Sequence, residues 1–330
     1  MTTLHGEIRC SHAIIHHHGL RRRRCFHCGR TWTLWKRRRG RKKRPRRFAA
    51  LRRTLEQGLT LTQQAHLQRK PVTTVKARHR ELLISLTRQP WHCPIPRGKL
   101  ILIIDGLWFR FGKKRWTLYL MAVRSIQGTR TVFLRPILRP GRESQEQWRE
   151  VIDQISVKVR KHICAMISDS LSGIEVVAYA AGWRLQRCHF HLLAGFQVYR
   201  GRNKKRLKWR WGRERSYQAV REIIATIDPV KIRTLVRKIR RYTRDPLCPR
   251  ILRMRLRGAL RRLDEYHTYL RYPELGLPST TGVMESMNAR LRGLCGRAHG
   301  FRTPQSLERW ITAYVRTHSS MTCRPKNLQN

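Results

Sequence analysis

Acidic residues are scarce in this chain of 330 residues, which has 19 Asp and Glu against 73 Lys and Arg. Its formal charge of +54 would repel itself in a compact state unless a polyanion neutralised it. Nucleic acid is therefore the expected partner, because Lys and Arg displace condensed counterions when they bind its phosphates. The scarcity excludes an ordinary mixed-charge surface, and it makes each carboxylate informative about function.

The chain also lacks any run of about eighteen apolar residues, the length that a membrane-spanning helix requires. Residues 1–19 are polar and rich in histidine, unlike a secretory signal. Hydrophobic residues make up 40% of the composition, which agrees with a folded protein that has a real core. We therefore expect a soluble, intracellular protein of two or three domains with no membrane partner.

Nine cysteines, an odd count in a long chain, favour reduced thiols and a metal site over a disulfide framework. Cys25 and Cys28, followed by glycine, form a Cys-x-x-Cys knuckle that can direct two thiolates at one tetrahedral Zn²⁺. Cys10 would be a third ligand. The fourth would be one of the nearby polar residues: His12, which we prefer, His5, Glu7 or one of residues 16–18. The alternative is a metal-free unit with solvated histidines.

Residues 36–47 are basic except at Gly40 and Pro45. This composition predicts an extended arm that lies along phosphate groups, although a solvated linker or a nuclear-import run would have the same composition. The cations of the arm assigned to DNA binding are Lys36, Arg37, Arg38, Arg39, Lys42 and Lys43.

From residue 48 the apolar residues change to helical spacing, beginning with Leu51 and Leu55. A short capped helix over 59–67, a turn at 69–71 and a basic helix over 72–80 follow, so residues 48–88 predict a helix-turn-helix domain. A purely structural three-helix unit is the alternative. The residues of the last helix assigned to DNA are Thr73, Lys76, Arg78 and Arg80.

Beyond a proline-containing linker, the pattern becomes that of an α/β domain. Strands are predicted at 100–104, 116–123, 131–138, 163–167 and 184–188, and helices at 143–159 and 174–181. Three strands with hairpin-length connections predict an antiparallel start. The order strand, strand, strand, helix, strand, helix, strand is that of a ribonuclease H-like fold. A basic, helical stretch follows as far as Pro278 and is interpreted as an insertion.

Two aspartates follow the first and fourth of these strands. If those strands are parallel neighbours, their ends lie about 4.8 Å apart, so Asp105 and Asp169 can share metal. Each aspartate alone would be an ordinary strand-end cap. Glu285 lies in a helix whose apolar residues can face the core, with Asn288 one turn away. Hard carboxylate oxygens favour Mg²⁺ or Mn²⁺, and two such ions can clamp a phosphodiester during in-line displacement.

Short motifs surround these acids: Asp105-Gly, Ser168-Asp169, Arg187-Cys188-His-Phe-His191 and Glu285-Ser-Met-Asn288, followed by His299-Gly-Phe. Together they resemble the DDE transposases of the Mutator-type bacterial insertion sequences, in particular the sub-type with a zinc-binding N-terminus. The resemblance covers nearly the whole chain. It implies that Asp105, Asp169 and Glu285 are the catalytic metal-binding triad.

The resemblance also implies that Cys188 and His191 are the Cys-x-x-His signature after the second aspartate. From the residues alone, this pair could be a zinc half-site or a cysteine nucleophile with its base, but packing and hydrogen bonding behind the acids is the preferred interpretation. The chain departs from the family in two places. Gly282 stands where an asparagine is common, and the first cysteine of the ribbon pair is missing.

The expected units follow from these patterns: a zinc-ribbon-like unit (1–35), a basic arm (36–47), a helix-turn-helix domain (48–88), a ribonuclease H-like catalytic core in two parts (98–195 and 278–320, the second with the glutamate helix) and a helical insertion (196–277). The resemblance implies a transposase that binds the terminal inverted repeats of its insertion sequence as double-stranded DNA. It would cut with Mg²⁺ or Mn²⁺ and join the ends to target DNA.

Such an enzyme is expected to work as a homodimer or higher homo-oligomer, in the cytoplasm of a prokaryote, where it associates with the nucleoid. Three alternatives remain open: a catalytically inactive DNA-binding regulator derived from a transposase, a metal-dependent nuclease without strand transfer, and a basic RNA-binding protein. The presence of all three acids disfavours the first alternative, and the helix-turn-helix pattern disfavours the last.

Overall fold

Three short strands, β1 (Ile15–His17), β2 (Arg22–Cys25) and β3 (Thr31–Thr33), form an antiparallel sheet near the N-terminus of the computed structural model. The structure describes residues 15–17, 22–33, 43–91, 94–169, 171–200, 209–298 and 301–322. Cys25 is buried at the end of β2, and Cys28 is exposed in the turn that follows. This small sheet therefore brings the two knuckle cysteines to one end.

Three helices follow: α1 (Lys43–Gln57), α2 (Leu61–Gln68) and α3 (Val72–Arg88). A capping box begins α2, where the Thr60 hydroxyl accepts from the backbone N–H of Gln63, and the Gln63 side chain accepts from that of Thr60. Arg69 ends α2 in a left-handed conformation with a φ of 50°. The predicted turn and the two helices around it are thus observed, and α3 extends well beyond residue 80.

The prediction of an extended arm over 36–47 is wrong at its C-terminal end, because α1 begins at Lys43. Pro45 is compatible with this helix since it stands in the first turn, where a backbone N–H has no acceptor within the helix. Residues 34–42 lie outside the described residues, and with them the assigned cations Lys36, Arg37, Arg38, Arg39 and Lys42.

A seven-stranded mixed sheet forms the centre of the fold. Its strands are β4 (Leu100–Phe111), β5 (Lys114–Ser125), β6 (Arg130–Phe133), β7 (Ile137–Pro140), β8 (Ile163–Ser168), β9 (Arg184–Arg187) and β10 (Ser320–Thr322). The order is β10-β6-β5-β4-β8-β9, and β7 pairs with β5. The pairs β4–β5 and β5–β6 are antiparallel, whereas β4–β8 and β8–β9 are parallel. The predicted α/β class, antiparallel start and parallel neighbours are confirmed.

Two strand predictions were wrong in their bounds. β4 does not end before Asp105 but continues to Phe111, because it forms a long hairpin with β5 through a tight turn at Gly112, whose φ is +57°. The predicted strand 131–138 is two strands, β6 and β7. Pro136 stands between them and cannot donate a hydrogen bond to a ladder.

One face of the sheet is covered by α4 (Gln145–Asp153), α5 (Val157–Arg160) and α6 (Ile174–Ala180). Even-numbered residues of β4, such as Leu102 and Ile104, pack there against Trp148. The helix predicted over 143–159 is divided into α4 and α5, because the chain turns between them and buries Ile155 in the same core.

In the described part of the stretch between β9 and the helix that carries Glu285, there are six α-helices and a short 3-10 helix (Pro273–Leu275). The α-helices are α7 (His189–Arg200), α8 (Arg210–Ile223), α9 (Pro229–Arg244), α10 (Arg250–Arg261), α11 (Leu263–Tyr266) and α12 (Thr268–Arg271). They have a hydrophobic core of their own, with Phe196, Ile223, Ile239 and Leu256 buried in it. The helical character predicted for this stretch is therefore confirmed, and most of its apolar residues are core.

The opposite face of the sheet is covered by α13 (Gly282–Arg297) and α14 (Pro304–Thr317). Odd-numbered β4 residues pack against Met284, Met287 and Leu291 of α13, and Leu83 of α3 belongs to the same core. Arg316 of α14 donates to backbone carbonyls in the last turn of α3 and just beyond it, and so ties the three-helix unit to a helix that covers the sheet. No helix in the described parts of the chain is both long and apolar enough to cross a membrane.

Candidate functional site

Asp105 lies within β4, and Asp169 lies just past the end of its parallel neighbour β8, so the predicted adjacency of the two strands is confirmed. The ladder between β4 and β8 ends at the pair Ile103–Ile167, and Asp169 follows β8 directly. Asp105 remains paired with Leu120 of β5 on its other side. The two aspartates therefore lie near each other at the level where β8 ends. Beyond this level β4 continues, but β8 no longer covers its edge, and Asp105 is at the start of this uncovered part.

Asp105 is only 5% exposed and is held by two donors. The side-chain amide of Asn288 donates to its Oδ2 at 2.6 Å, and the backbone N–H of Gly106 donates to Oδ1 at 3.0 Å. Asn288 is itself buried on α13, and its Oδ1 has no hydrogen-bond partner among the described residues. An acceptor oxygen without a partner thus lies beside the buried carboxylate.

Asp169 is half-buried in the loop after β8, and this loop is fixed by a buried arginine. The backbone N–H of Leu171 donates to Asp169 Oδ1 at 3.1 Å. Arg187 donates to the backbone carbonyls of Asp169 at 3.3 Å and of Leu171 at 3.1 Å. The guanidinium also pairs with Glu175 at 2.7 Å and with Glu265. Arg187 therefore sets the path of the backbone that presents Asp169.

Glu285 stands in the first turn of α13 and faces Cys188 and His191. Thr281 Oγ1 lies 3.3 Å from both Glu285 Oε1 and Cys188 Sγ, and the Cys188 thiol donates to Glu285 Oε1 at 3.8 Å. Ligand atoms of Cys188, His191 and Glu285 all lie within 4.8 Å of one another. Neither Asp105 nor Asp169 belongs to this group in the described parts of the chain.

The structure therefore brings two members of the predicted triad, Asp105 and Asp169, close together. The third, Glu285, lies beside His191, about one helical turn from Asn288. Burial raises the pKa of the Cys188 thiol, which disfavours the alternative that this cysteine is a nucleophile. The hydrogen bonds to Thr281 and Glu285 agree with the preferred interpretation, in which Cys188 orders the surroundings of the acids.

A fourth carboxylate, Glu143, was missed by the sequence reasoning. It lies just before α4, and Trp148 donates its indole N–H to Glu143 Oε1 at 2.6 Å. Burial, together with the neighbouring charge of Asp169, raises the pKa of Glu143 to about 7. Its one signal in the sequence was the scarcity of acids, because residues 143–153 contain four of the 19.

The pKa of Asp105 is likewise raised to about 7, mainly by burial and also by the charges of Asp169 and Glu143, although nearby His191 lowers it. We call Asp105, Glu143 and Asp169 the acid cluster. Among the described residues, no Lys or Arg forms an ion pair with these three or with Glu285. A partly buried group of like charges without a counterion is unfavourable unless a cation or protons neutralise it.

The residues around the acid cluster fit a hard divalent cation. Carboxylate oxygens are the ligands that Mg²⁺ and Mn²⁺ prefer, and the amide Oδ1 of Asn288 is a buried oxygen of the same kind without a partner. Nδ1 of His191 is likewise buried without a hydrogen-bond partner among the described residues. The donor set at the acid cluster therefore suits Mg²⁺ or Mn²⁺ rather than a thiolate-binding metal.

The cysteine knuckle has part of the geometry of a zinc site. The backbone N–H of Cys28 points at Cys25 Sγ from 3.5 Å, and Gly29 allows the turn with a φ of 67°. The structure thus brings Cys25 and Cys28 together. The other predicted ligands, Cys10 and His12, lie outside the described residues.

The predicted DNA-contacting residues of α3 do not all share one face. Thr73, Lys76 and Arg80 are exposed at spacings of three and four residues, which places them on one side of the helix. Arg78 is half-buried and lies about 140° around the helix from Thr73, at 3.6 residues per turn. Lys43, the last cation assigned to the arm, is the first residue of α1.

Two aromatic residues of the helical stretch, Trp209 and Tyr199, are engaged within the protein. The Trp209 indole N–H donates to Asp245 Oδ2 at 2.7 Å, and its ring contacts Tyr242 edge-on. The Arg255 guanidinium covers the ring of Tyr199. Trp211, by contrast, is 79% exposed on α8.

No protein-family model matches the chain, and a search of curated proteins found no match. The site must therefore be interpreted from its own residues. It offers buried carboxylate and amide oxygens at the end of a parallel strand pair, in a strongly cationic protein. Such a site can hold divalent cations against the phosphodiester backbone of a nucleic acid.

Proposed function

We propose that this chain is a DDE transposase, which cuts and joins DNA at Asp105, Asp169 and Glu285 with Mg²⁺ or Mn²⁺. The observation that carries the proposal is the hydrogen bond from Asn288 to Asp105. It links the helix that bears Glu285 to the strand that bears Asp105, next to the end of β8 where Asp169 stands. The motif resemblance supports the joining step.

The arrangement of the sheet supports a ribonuclease H-like core. Three antiparallel strands followed by two parallel strands on the other side of β4 agree with that fold, and so does a helix between β6–β7 and β8. The helices α7–α12 would then be an insertion between the last strand of the core and the glutamate helix.

The protein's own residues have distinct roles in this proposal. Divalent cations, when bound, would stabilise charge on the attacking and leaving oxygens of the phosphodiester. Asp105, Asp169 and Glu285 would hold them. Asn288 orients Asp105, and Arg187 fixes the loop of Asp169 through two carbonyl contacts. Thr281 and Cys188 orient Glu285.

We also propose that the N-terminal part recognises double-stranded DNA at the terminal inverted repeats. α2 and α3 have the succession of a helix-turn-helix, and Thr73, Lys76 and Arg80 would face a major groove. A homo-oligomer would pair the two ends. Joint substitution of Lys76 and Arg80 by alanine should weaken binding to the ends, as measured by gel shift, without impairing metal binding. Unchanged end binding would count against this assignment.

Zinc at Cys25, Cys28, Cys10 and His12 is proposed for the N-terminal unit. The close approach of the Cys28 N–H to Cys25 Sγ supports it, because such contacts stabilise thiolates that share a metal. Elemental analysis should find about one zinc per chain, lost in Cys25→Ser. Protein that recognises its ends without zinc would contradict a role for metal in recognition.

The proposed activity is tested with labelled DNA taken from the two flanks of the coding sequence. With Mg²⁺, the full-length protein should bind these ends, expose 3′ hydroxyls and join them to a second duplex. Asp105→Asn, Asp169→Asn and Glu285→Gln should each abolish cleavage and spare end binding. Glu274→Gln, which removes an exposed carboxylate, is the matched control and should retain activity.

The outcomes separate the alternatives. Binding without cleavage by the unaltered protein would indicate a regulator derived from a transposase. Cleavage without joining would indicate a nuclease. Full cleavage by any of the three acid variants would refute the triad assignment.

A further inference from the structure

Glu143 reaches the acid cluster from a different face of the sheet than Asp105. Side chains alternate along β4, and Asp105 points toward α13, where Asn288 contacts it. Gly106, the next residue, faces the side covered by α4. Because β8 has ended by this level, the edge of β4 is open and carboxylates from the two faces can meet there.

Gly106 makes room for Glu143. A Cβ built on Gly106 would lie 2.6 Å from Glu143 Oε2 and 2.7 Å from Oε1, closer than any side chain tolerates. The carboxylate therefore rests directly against the backbone next to Asp105, in a space that only glycine leaves open. Substitution of this glycine would displace the Glu143 carboxylate without removing any charge.

Trp148 fixes the orientation of Glu143. Its indole is 1% exposed and donates to Oε1 at 2.6 Å, while its ring packs edge-on against Tyr119 of β5. A carboxylate held in this way has lost its side-chain freedom before any ligand arrives, so little entropy remains to be lost on binding. The Glu143 carboxylate is thus already oriented on the α4 side of the site.

A second observation points to a cation at this place. Asn288 is 6% exposed, and its side-chain amide N–H donates to Asp105. Its Oδ1 has no hydrogen-bond partner in the described parts of the chain. A cation beside Asp105 would satisfy that oxygen as well as the carboxylates.

We propose that Glu143 is a further metal-binding residue of the site, which contributes a fourth carboxylate from the opposite face of the sheet. This inference rests on the proposed function, because it assumes that Asp105 and Asp169 bind a divalent cation. The position of Glu143 supports it: the carboxylate is partly buried, rests against Gly106 next to Asp105 and forms no ion pair with a described Lys or Arg, so a bound cation would stabilise its charged form.

The test measures the binding of Mn²⁺ to the full-length protein without DNA. Binding is detected as the loss of the free Mn²⁺ signal in electron paramagnetic resonance. Glu143→Gln keeps the shape of the side chain and the acceptor for Trp148 but removes the charge. It should weaken Mn²⁺ binding by about 10- to 100-fold. Gly106→Ala should weaken it similarly, although no charged group has changed.

Two matched controls belong to the experiment. Glu150→Gln removes an exposed carboxylate from α4, and Gly258→Ala adds a Cβ that would meet nothing within 4 Å. Both should bind Mn²⁺ as the unaltered protein does. Circular dichroism should report folded protein for all variants, and Glu143→Asp, which retains the charge on a shorter side chain, should bind Mn²⁺ more tightly than Glu143→Gln.

Asp105→Asn distinguishes the two levels of the proposal. If it loses Mn²⁺ binding while Glu143→Gln keeps the unaltered affinity, Glu143 is not a ligand and the proposed function stands. If neither substitution changes Mn²⁺ binding, the proposed metal site itself is refuted, and this inference with it.

Discussion

Two clusters of charged side chains lie next to each other in this protein, and they differ in whether the protein itself supplies the opposite charge. In the first, which we call the arginine cluster, Arg187 pairs with Glu175 and Glu265 and is fully buried. The second is the acid cluster of Asp105, Glu143 and Asp169, where no described Lys or Arg forms an ion pair. Asp169 connects them, because its carbonyl oxygen accepts from Arg187 while its side chain belongs to the acid cluster.

The difference separates a cluster whose charges are paired within the protein from one whose charges form no ion pair with a described Lys or Arg. In a chain with 73 Lys and Arg, a carboxylate that lacks a cationic partner is not explained by a shortage of cations. The arginine cluster satisfies its charge and hydrogen bonds internally, and so stabilises the loop around it. The acid cluster has no such internal ion pair, so its charge must be neutralised by protons or, as proposed above, by a bound divalent cation.

The largest expected effect comes from breaking the arginine cluster. Arg187→Met leaves Glu175 and Glu265 without their cation and releases the loop of Asp169. We expect a loss of about 3–5 kcal/mol of unfolding free energy, the usual result of removing one partner of a buried ion pair. Urea unfolding monitored by circular dichroism measures it.

Arg271→Met is the control for this prediction, because it breaks an ion pair with Asp264 that is exposed on both sides. Its cost should stay below about 1 kcal/mol. Similar losses for the two variants would mean that Arg187 is not the structural centre of its cluster.

An intermediate effect on stability is expected when a divalent cation binds to the acid cluster. Mg²⁺ at a hundred times its dissociation constant should stabilise the unaltered protein by about 2.7 kcal/mol, because it binds only the folded state. Asp105→Asn should not respond to Mg²⁺, and without metal it should be at least as stable as the unaltered protein, because one buried negative charge is removed. Thermal unfolding with and without Mg²⁺ measures both.

A large loss of stability in metal-free Asp105→Asn would contradict the comparison. The acid cluster would then be structural in the way that the arginine cluster is, and its lack of a cationic partner would need another explanation.

Much of the site was predictable from local patterns. The apolar runs before Asp105 and Asp169 predicted adjacent strands, and the helical spacing around Glu285 predicted a packed helix, which placed Asn288 near the acids. These inferences succeeded because burial of strands and helices leaves a periodic trace in the sequence.

Glu143 and the partners of Arg187 left no such trace. Glu143 depends on the missing Cβ of Gly106 and on the indole of Trp148, which approach it only in three dimensions. Glu265 comes from a helix far along the chain to meet Arg187. The exact end of β4 was also missed, because it is set by the hairpin with β5 rather than by the residues around Asp105.

The smallest expected effect concerns a third buried polar group, His79 of α3, which tests whether burial without a charged partner acts as the comparison assumes. His79 is 3% exposed, neither ring nitrogen has a hydrogen-bond partner among the described residues, and burial lowers its pKa. In the unfolded chain its pKa is about 6.5. Below that pH the unfolded state binds a proton that the folded state does not, so stability falls as the pH drops.

His79→Phe keeps a ring of similar size but cannot titrate, so between pH 7 and 5 it should lose less stability than the unaltered protein. The difference is at most about 1.4 kcal/mol for each unit by which burial lowers the pKa. Urea unfolding at the two pH values measures it, and equal losses in both proteins would mean that the folded protein accommodates the charge after all.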